Sequence, residues 1–536
     1  MMLGSNTGRR RASLGAALLG AALLLAAPMT AAAQGDGETF TYAAHLAVVT
    51  DLDPATSYSN EVIAMHNIYE SLTRYDSASG TVVPSLATEW SASDDGLTWT
   101  FTLRDDVVFH TGRPMDAAAA KAAIERTQGL GLGAGYIWSG VESIEAPDAT
   151  TLVLNLSWPA PMDLIAAANY AAYIYDTQAA GEGASEEELV AFFAAGGDAG
   201  TGPYTISRWD PGQEFELTLD AFPEYWGGWD GDHYDEVVFR VVPEATTALQ
   251  LVKSGQVSLV DRLTPQLIDS LRTDENVQIV ETPSLQNLMI LLNTASGPLA
   301  DPALRAAVAK AVDTDGIATA LAGAVVPTKG VIPPGLLGYS DDLTGTGLDL
   351  EGAAELLAEA GVDLDEVPTL TLTMAVGDTD QTLVATSLKS NLAQLGIELD
   401  IQATEWQAQW DRAISDNIDE RQDIFVMYWW PDYPDPFSWF ISLFHSEDEP
   451  TFNLSYYSDP EMDAAIDQIQ SLTVTDRDAA EQQYIEMQQT LIDEAVAVVP
   501  YVQNYQRALD ASVGGYVDDP AYAQVAFVYD LTPLGD

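Results

Sequence analysis

The stretch LTLTMAVGDTDQTLVATSLKSNLAQLGIELDIQA, residues 370–403, decides the fold class of this protein. Its residue pattern predicts a strand over 370–376, a helix over 381–395 and a second strand over 397–403. Two strands joined by one helix within so short a span are typical of a βαβ unit, whose strands lie parallel in one sheet. The sequence therefore predicts an α/β protein with a mostly parallel sheet in this region.

Further elements are predicted on the amino-terminal side of this unit and beyond it. Strands are predicted at 38–50, 98–103, 150–156, 215–219 and 237–242. Helices are predicted through Ile63, Ile68 and Leu72, from a cap at Asp116 to about Thr127, from Asp301-Pro302 to Ala311, and from Asp459-Pro460 onward. Residues 181–200, rich in Gly, Glu and Ala, indicate a surface insertion or a short helix.

Composition excludes several functional classes. The 536 residues include 81 Asp and Glu, 21 Lys and Arg and no Cys, which gives a formal charge of −60. Such a chain is a poor partner for nucleic acid or for an anionic membrane, and it has no disulfide, thiolate metal site or lipid-bearing cysteine. Its length allows about three domains.

The first 33 residues are predicted to be a signal peptide. Arg9, Arg10 and Arg11 precede the apolar run 14–27, and three alanines at 31–33 offer a cleavage site near Ala33. The paired arginines leave twin-arginine export open beside the ordinary secretory route, which we favour. The mature protein is therefore expected to be periplasmic, with no stable membrane insertion.

Motifs for catalysis or cofactor binding are weak. The glycines of 129–135 do not follow a clear first strand, so a loop is the better interpretation than a dinucleotide site. The five histidines show no metal-ligand spacing. We expect no catalytic residues, no metal and no cofactor, and therefore no enzyme.

Aromatic residues concentrate in one region of the chain. Five of the 12 tryptophans lie between positions 406 and 439, around the segment WWPDYPDP at 429–436. Its three prolines predict a rigid loop after the strand 424–428, and a rigid loop at the end of a parallel strand is a favourable place for a ligand. Trp406, Trp410 and Phe440 are expected in the core, and Trp429, Trp430 and Asp432 in a pocket.

The chain resembles the dipeptide/oligopeptide-type periplasmic solute-binding proteins of ABC importers over essentially its whole mature length. The matching stretches, in chain order, are Leu52-Asp53-Pro54, 68–76 (IYESLTRYD), 84–90 (PSLATEW), 101–112 (FTLRDDVVFHTG), Gly202-Pro203-Tyr204, Asn293-Thr294, 301–313, 429–436 and 453–459. Together they identify the chain as a member of the family 5 extracellular solute-binding proteins.

The resemblance implies a two-lobed α/β fold, similar to type II periplasmic binding proteins, with an extra domain in the first lobe and the ligand cleft between the lobes. It implies domain I at 34–77, 200–285 and 505–536, domain II at 78–199, and domain III, the second lobe, at 286–504. Closure about a hinge would enclose the ligand. The expected partners are a peptide or small-molecule ligand and the permease subunits of an ABC transporter, and the protein is expected to be a monomer.

The resemblance also implies site residues. Asp432 matches the family's Asp that holds a peptide's ammonium group, and Trp429 matches the Trp that walls the pocket; Trp430, Tyr433 and Tyr58 complete the predicted set. Dipeptide binders carry an Arg for the ligand carboxylate just before the helix of the βαβ unit, but AVGDTD at 375–380 contains none. Either the far end of the ligand is neutral or open-ended, as with longer peptides, or another cation serves. Arg262 is the best substitute in this sequence, unless it belongs to a surface ion pair.

The sequence thus favours a periplasmic receptor that binds a peptide or a related amine-bearing solute and delivers it to an ABC importer. Some relatives bind oligosaccharides on the same fold, and the aromatic residues keep that alternative open. A two-carboxylate glycoside hydrolase is the alternative from another class.

The acidic surface generates a prediction about salt. With 81 acidic groups against 21 basic ones, the folded chain repels itself at low ionic strength, and screening within a Debye length of about 8 Å relieves the repulsion. We expect the melting temperature to rise by several degrees between low and high NaCl in a calorimetric series. An unchanged melting temperature would instead favour a compositional bias of the lineage without adaptation to salt.

Overall fold

The computed structural model describes residues 38–45, 51–210, 216–321, 323–345 and 347–534. The predicted signal peptide lies outside the described residues. The strands are β1 (Thr39–Ala44), β2 (Glu70–Ser71), β3 (Thr73–Asp76), β4 (Thr81–Pro84), β5 (Ala87–Ala92), β6 (Thr98–Leu103), β7 (Val141–Glu145), β8 (Thr151–Leu156), β9 (Tyr173–Ile174), β10 (Tyr204–Asp210), β11 (Glu216–Ala221), β12 (Glu236–Val241), β13 (Leu259–Val260), β14 (Val277–Leu292), β15 (Val325–Pro327), β16 (Leu370–Ala375), β17 (Leu399–Thr404), β18 (Ile424–Trp429), β19 (Ala497–Asp510), β20 (Val513–Gly514) and β21 (Thr532–Pro533).

The helices are α1 (Val62–Met65), α2 (Ala117–Leu130), α3 (Met162–Ile165), α4 (Glu186–Ala194), α5 (Ala245–Lys253), α6 (Pro265–Leu271), α7 (Pro302–Lys310), α8 (Thr314–Ala320), α9 (Leu350–Ala360), α10 (Thr379–Leu395), α11 (Trp406–Ala413), α12 (Phe437–Leu443), α13 (Pro460–Thr475) and α14 (Arg477–Asp493). Short 3-10 helices occur at Gly135–Trp138, Pro298–Ala300, Ile418–Glu420 and Val528–Asp530. None of the helices described here is long and apolar enough to cross a membrane.

The predicted βαβ unit is confirmed. Strands β16 and β17 pair in parallel and α10 connects them. Asp378 caps α10, because its carboxylate accepts hydrogen bonds from the backbone N–H groups of Asp380 and Gln381 at 3.0 and 2.8 Å. The helix ends at Gly396, which adopts φ 85°. Strand β18 lies parallel to β16 on its other side, so the ends of β16 and β18 face the same edge of the sheet.

The largest sheet has the strand order β10-β11-β12-β1-β13-β19-β14-β18-β16-β17, with β15 beside β19. The long strands β14 and β19 connect its two halves, and their register shifts between Pro283 and Asn287. A shift of this kind bends a strand locally. We call the described residues of 38–283 and 504–534 the first lobe, and those of 287–503 the second lobe.

A separate four-stranded antiparallel sheet, β5-β6-β8-β7, lies within the first lobe. Helix α2 follows β6 along the chain and buries Ala120, Ala123 and Ile124. Asp116 caps α2 as predicted, and the helix runs three residues beyond the predicted end at Thr127.

Three buried clusters form the core of the described residues. The largest contains side chains of both lobes, such as Phe40 and Trp439, and includes aromatic residues around the loop 430–436. A second cluster lies between the strands β16 and β18 and the helices α7, α9 and α10. The third packs α5 and α6 against the first-lobe side of the large sheet.

One predicted element is wrong. The helix expected through Ile63, Ile68 and Leu72 covers only α1, and the chain then extends into β2, which pairs with β9. Hydrogen bonds from distant backbone replace those of a helix: Gly202 N–H donates to the Ile68 carbonyl at 2.9 Å. The apolar spacing reflects burial in the core, which Ile68 and Leu72 achieve outside a helix, through a turn that leads into β2.

The remaining predicted elements agree with the structure within a few residues. The strand predicted at 38–50 is β1, and positions 46–50 lie outside the described residues. The segment 181–200 contains the short helix α4, which begins with a capping box formed by Ser185 and Glu188. Asp301 and Asp459 cap α7 and α13 as predicted.

The strand β19 carries a buried ion pair. Arg507 Nε donates to Asp518 Oδ2 at 3.1 Å, and the two side chains are 3% and 0% exposed. A second arginine of the first lobe, Arg74, donates to Asp530 at the same distance, but these side chains are 39% and 49% exposed.

These two pairs give a matched prediction. We expect Asp518→Ala to lower the free energy of unfolding in urea by about 3–5 kcal/mol, because it leaves a buried guanidinium without its counter-charge. The exposed partner substitution Asp530→Ala should cost less than about 1 kcal/mol. Equal costs for the two substitutions would contradict this assignment of the buried pair.

Candidate ligand-binding site

The predicted aromatic loop connects β18 to α12. The strand extends one residue further than predicted, so that Trp429 ends β18 and the loop occupies 430–436. Asp435 fixes the end of the loop, since its carboxylate accepts a hydrogen bond from Phe437 N–H at 2.9 Å. The loop therefore leaves the sheet at the carboxyl end of β18, beside the carboxyl end of β16.

The loop belongs to the second lobe and docks on the first. Asn169 N–H donates to the carbonyl of Asp432 at 2.6 Å, and its side-chain amide donates to the carbonyls of Pro431 and Ala521 at 2.9 and 2.8 Å. Trp430 Nε1 donates to the hydroxyl of Tyr170 at 3.1 Å. These bonds hold the loop backbone between the two lobes.

The carboxylate of Asp432 is buried at this junction, where the residue is 1% exposed. Its Oδ2 accepts hydrogen bonds from the hydroxyls of two first-lobe tyrosines, Tyr58 at 3.2 Å and Tyr136 at a shorter distance. Burial raises the pKa of the carboxyl from its ordinary value of 3.8 to about 7, although both hydroxyls lower it. No cationic side chain of the described residues pairs with it.

Aromatic rings surround this carboxylate. The ring of Tyr58 makes edge contacts with the rings of Tyr170 and Phe452, both at 5.0 Å, and lies 6.4 Å from Trp429. Trp429 in turn packs on Phe452 at 5.2 Å. The Trp429 residue is 6% exposed, and its indole N–H has no hydrogen-bond partner among the described residues.

Arg262 lies in a second contact between the lobes. Its guanidinium donates to Asp378 at 2.9 Å, to Asp380 at 2.7 Å and to the hydroxyl of Tyr428 at 2.7 Å. The Tyr428 hydroxyl also donates to Asp378 Oδ1 at 3.2 Å. Asp378 and Asp380 of the second lobe therefore bind Arg262, the residue named from the sequence as the best substitute for a carboxylate-binding arginine.

The structure brings four of the predicted site residues together: Asp432, Trp429 and Tyr58 in one cluster, and Trp430 at its edge. Tyr433 is bonded within the second lobe, where its hydroxyl accepts a hydrogen bond from Gln470 Nε2 at 3.1 Å. Arg262 belongs to the separate ion cluster. Trp406 and Trp410, expected in the core, are half-buried, and Phe440 is fully buried.

Sequence reasoning missed several residues that line this junction. They are Tyr136, Asn169, Tyr170, Phe452, Asp378, Asp380 and Tyr428. Tyr136 follows the glycine-rich segment 129–135, and no local pattern there indicates that its hydroxyl reaches a carboxylate 296 positions away in the chain. The sequence offered a signal for three of these residues: Asp378 and Asp380 lie in the segment 375–380 that the resemblance singled out, and Phe452 precedes the family stretch at 453–459.

A metal centre is not among the features of the site. Within the described residues, no group of three or more His, Asp or Glu side chains is placed to hold a metal ion. The polar groups at the junction are a carboxylate, phenols, an amide and an indole, which suit hydrogen bonding to an organic solute.

Comparison with known proteins identifies the scaffold. The family model "Bacterial extracellular solute-binding proteins, family 5 Middle" matches residues 81–451. The chain is 29% identical over 483 residues to the probable D,D-dipeptide-binding periplasmic protein DdpA of Escherichia coli (strain K12), covering 88% of this chain and 90% of that protein.

Solved structures show the same fold. Helicobacter pylori DppA in complex with the peptide STSA superposes with a TM-score of 0.80 at 22% identity, covering 93% of this chain and 98% of that chain. The murein tripeptide binding protein MppA of Escherichia coli gives 0.81 at 21% identity, covering 94% and 99%. The predicted two-lobed α/β binding-protein fold is confirmed. The protein belongs to family 5 of the bacterial extracellular solute-binding proteins, which serve ABC importers.

Proposed function

We propose that this family member binds a peptide, or a related amine-bearing solute, and that Asp432 receives the solute's ammonium group between the closed lobes. The observation that carries the proposal is a buried carboxylate with no cationic partner among the described residues. An isolated buried charge is costly, so a carboxylate in such a place either takes up a proton or awaits a cation. A charge-assisted hydrogen bond to an ammonium contributes about 1.5–3 kcal/mol.

Under this proposal, closure of the lobes is coupled to binding of the solute. The two hydroxyls that reach Asp432 come from the first lobe, whereas the carboxylate comes from the second. Because Asp432 is almost fully buried in this closed arrangement, a solute reaches it only after the lobes part, and the shifted register at 283–287 offers a place to bend. Closing without a solute buries an unpaired charge, so the solute's ammonium favours the closed form.

A peptide satisfies the other groups at the junction as well. The free indole N–H of Trp429 can donate to a peptide carbonyl, and the rings of Tyr58 and Phe452 offer apolar faces for a side chain. The names of the relatives support this class of solute, since they bind dipeptides, a tripeptide and the peptide STSA. An oligosaccharide could stack on the same rings, but it brings no positive charge to Asp432.

Three further assignments belong to this proposal. Domain I comprises 34–77, 200–285 and 505–536, domain II 78–199 and domain III 286–504. The signal peptide is cleaved near Ala33, which leaves the receptor in the periplasm. The receptor acts as a monomer, presents its closed form to the permease and carries out no chemistry on the solute.

One prediction of the proposed function concerns solute binding. We expect wild-type protein to gain several degrees in melting temperature with a pool of synthetic di- and tripeptides, since saturation at 100 times Kd adds about 2.7 kcal/mol of stability. Asp432→Asn should weaken binding at least about tenfold, because an amide offers no charge to the ammonium. Differential scanning fluorimetry and calorimetric titration measure both effects.

The matched control for this experiment is Asp435→Asn. Asp435 is a buried carboxylate of the same loop, but its partners, Phe437 N–H and the Tyr484 hydroxyl, both belong to the second lobe. This control should keep the peptide response. A normal response in Asp432→Asn, or a response of wild type to cello-oligomers alone, would contradict the proposal.

The second prediction concerns pH. The folded pKa of Asp432, about 7, lies above its ordinary value of 3.8, so the closed protein binds this proton more tightly than the unfolded chain does. Stability from this group is complete below pH 3.8 and is lost as pH rises to about 7. Ligand-free Asp432→Asn should therefore be about 1–4 kcal/mol more stable than wild type at pH 8 and nearly equal to it at pH 4. Urea unfolding measures the difference in free energy of unfolding between the variant and wild type at the two pH values. The same difference at pH 4 and pH 8 would contradict the burial of this charge.

A further inference from the structure

The contact between Arg262 and the second lobe carries an inference about the far end of the solute, one that rests on the proposed function. Asp378 follows β16 and the Asp432 loop follows β18, and these two strands are parallel neighbours. Both segments therefore leave the sheet at the same edge, where ligands of parallel sheets bind. Both also touch the first lobe, Asp432 through Tyr58 and Tyr136, and Asp378 through Arg262.

The distance that Arg262 spans shows that this contact depends on lobe closure. Arg262 follows β13, which is separated from β16 by three strands, β19, β14 and β18. In a flat sheet with about 4.8 Å between strands, four spacings would place β13 and β16 about 19 Å apart. Hydrogen bonds of 2.7–2.9 Å from Arg262 to Asp380 and Asp378 require the two halves of the sheet to fold toward each other.

The charges of this contact do not balance. One guanidinium faces two carboxylates. Burial opposes ionisation of Asp378, but the charge of Arg262 and the hydrogen bond from Gln381 N–H outweigh it and hold the pKa of Asp378 below its usual value. The contact lines a cavity of about 110 Å³ together with His45, Arg507 and Gln503. Arg507 forms an ion pair with Asp518, and its Nη2 is buried without a hydrogen-bond partner among the described residues. His45 is hydrogen-bonded to Asp261 at 2.7 Å. The excess charge facing the cavity is therefore negative.

We propose that Asp378 and Asp380 are specificity-determining residues that reject a free carboxylate at the end of the solute opposite its ammonium. Arg262 is fully engaged by them, so no cation at this position is left to pair with a solute carboxylate. A second negative group in the cavity would face like charge, which costs several kcal/mol in a desolvated site. The solute class is accordingly a peptide or amine whose far end is neutral or positively charged, such as a peptide amide.

The experiment compares two probes that differ only at this end, L-alanyl-L-alanine and its C-terminal amide, by calorimetric titration at pH 7. Wild type should bind the amide at least about tenfold more tightly than the free acid. In Asp378→Asn/Asp380→Asn, Arg262 loses both counter-charges, and the preference should reverse in favour of the free acid. Asn at 378 keeps the cap of α10, because its side-chain oxygen still accepts from the helix N–H groups.

Two additional variants make the result decisive. Asp380→Asn alone leaves one carboxylate for Arg262. Its ratio of amide affinity to free-acid affinity should lie between those of wild type and the double variant, so this variant tests the proposal even if the double variant does not fold. Asp416→Asn, a substitution of an exposed acid in the second lobe, should keep the wild-type ratio. It controls for the loss of one negative charge anywhere on this acidic chain.

The outcomes separate this proposal from the proposed function. Equal or tighter binding of the free acid by wild type, with both probes lost in Asp432→Asn, would overturn the role of Asp378 and Asp380 and leave the ammonium site standing. The role of Asp378 and Asp380 would also be overturned if the double variant kept the wild-type ratio of amide affinity to free-acid affinity. Failure of every protein to bind either probe would contradict the proposed function, and this inference with it.

Discussion

A single negative charge, buried where two lobes meet, is the constraint on which this structure depends. The Asp432 carboxylate lies on a loop of the second lobe, and the phenols of Tyr58 and Tyr136 from the first lobe are its hydrogen-bond donors. Neutral donors stabilise a carboxylate only in part, which is why burial still raises its pKa to about 7. The closed form of the empty protein therefore carries an electrostatic penalty, and under the proposed function the ammonium group of the solute removes it. A receptor needs this property, because a permease must distinguish the loaded protein from the empty one.

The connection between the two halves of the large sheet makes this arrangement possible. Among the strands of the described residues, only β14 and β19 connect both halves of the large sheet, and their register shift near Pro283 falls between the halves. The segments that carry Asp378 and Asp432 leave neighbouring parallel strands at one edge, and both contact the first lobe. The two contacts differ in kind. At Asp432 the charge lacks a partner, whereas at Asp378 a guanidinium is shared by two acids.

This difference makes the two ends of the cleft chemically distinct. Under the two proposals, an ammonium group is favoured at Asp432 and a free carboxylate is disfavoured at the other contact, where Arg262 is already paired with Asp378 and Asp380. The family scaffold thus leaves the choice of solute to a handful of side chains at strand ends, which can change without disturbing the sheet.

The sequence by itself determined the fold class, most element boundaries and the position of the loop that carries Asp432. Strong local signals explain this success: strand and helix periodicity over 370–403, aspartate caps at 116, 301 and 459, and prolines that define the loop at 429–436. The helix predicted after Met65 was wrong, because the apolar spacing is that of a helix while the carbonyls of Asn67 and Ile68 accept hydrogen bonds from Tyr204 and Gly202, more than 100 positions away. Only the tertiary structure decided that Tyr136 reaches Asp432 and that Arg262 is held by Asp378 and Asp380. Contacts between lobes join residues far apart in the chain, and no local pattern records whether a charge will find a partner there.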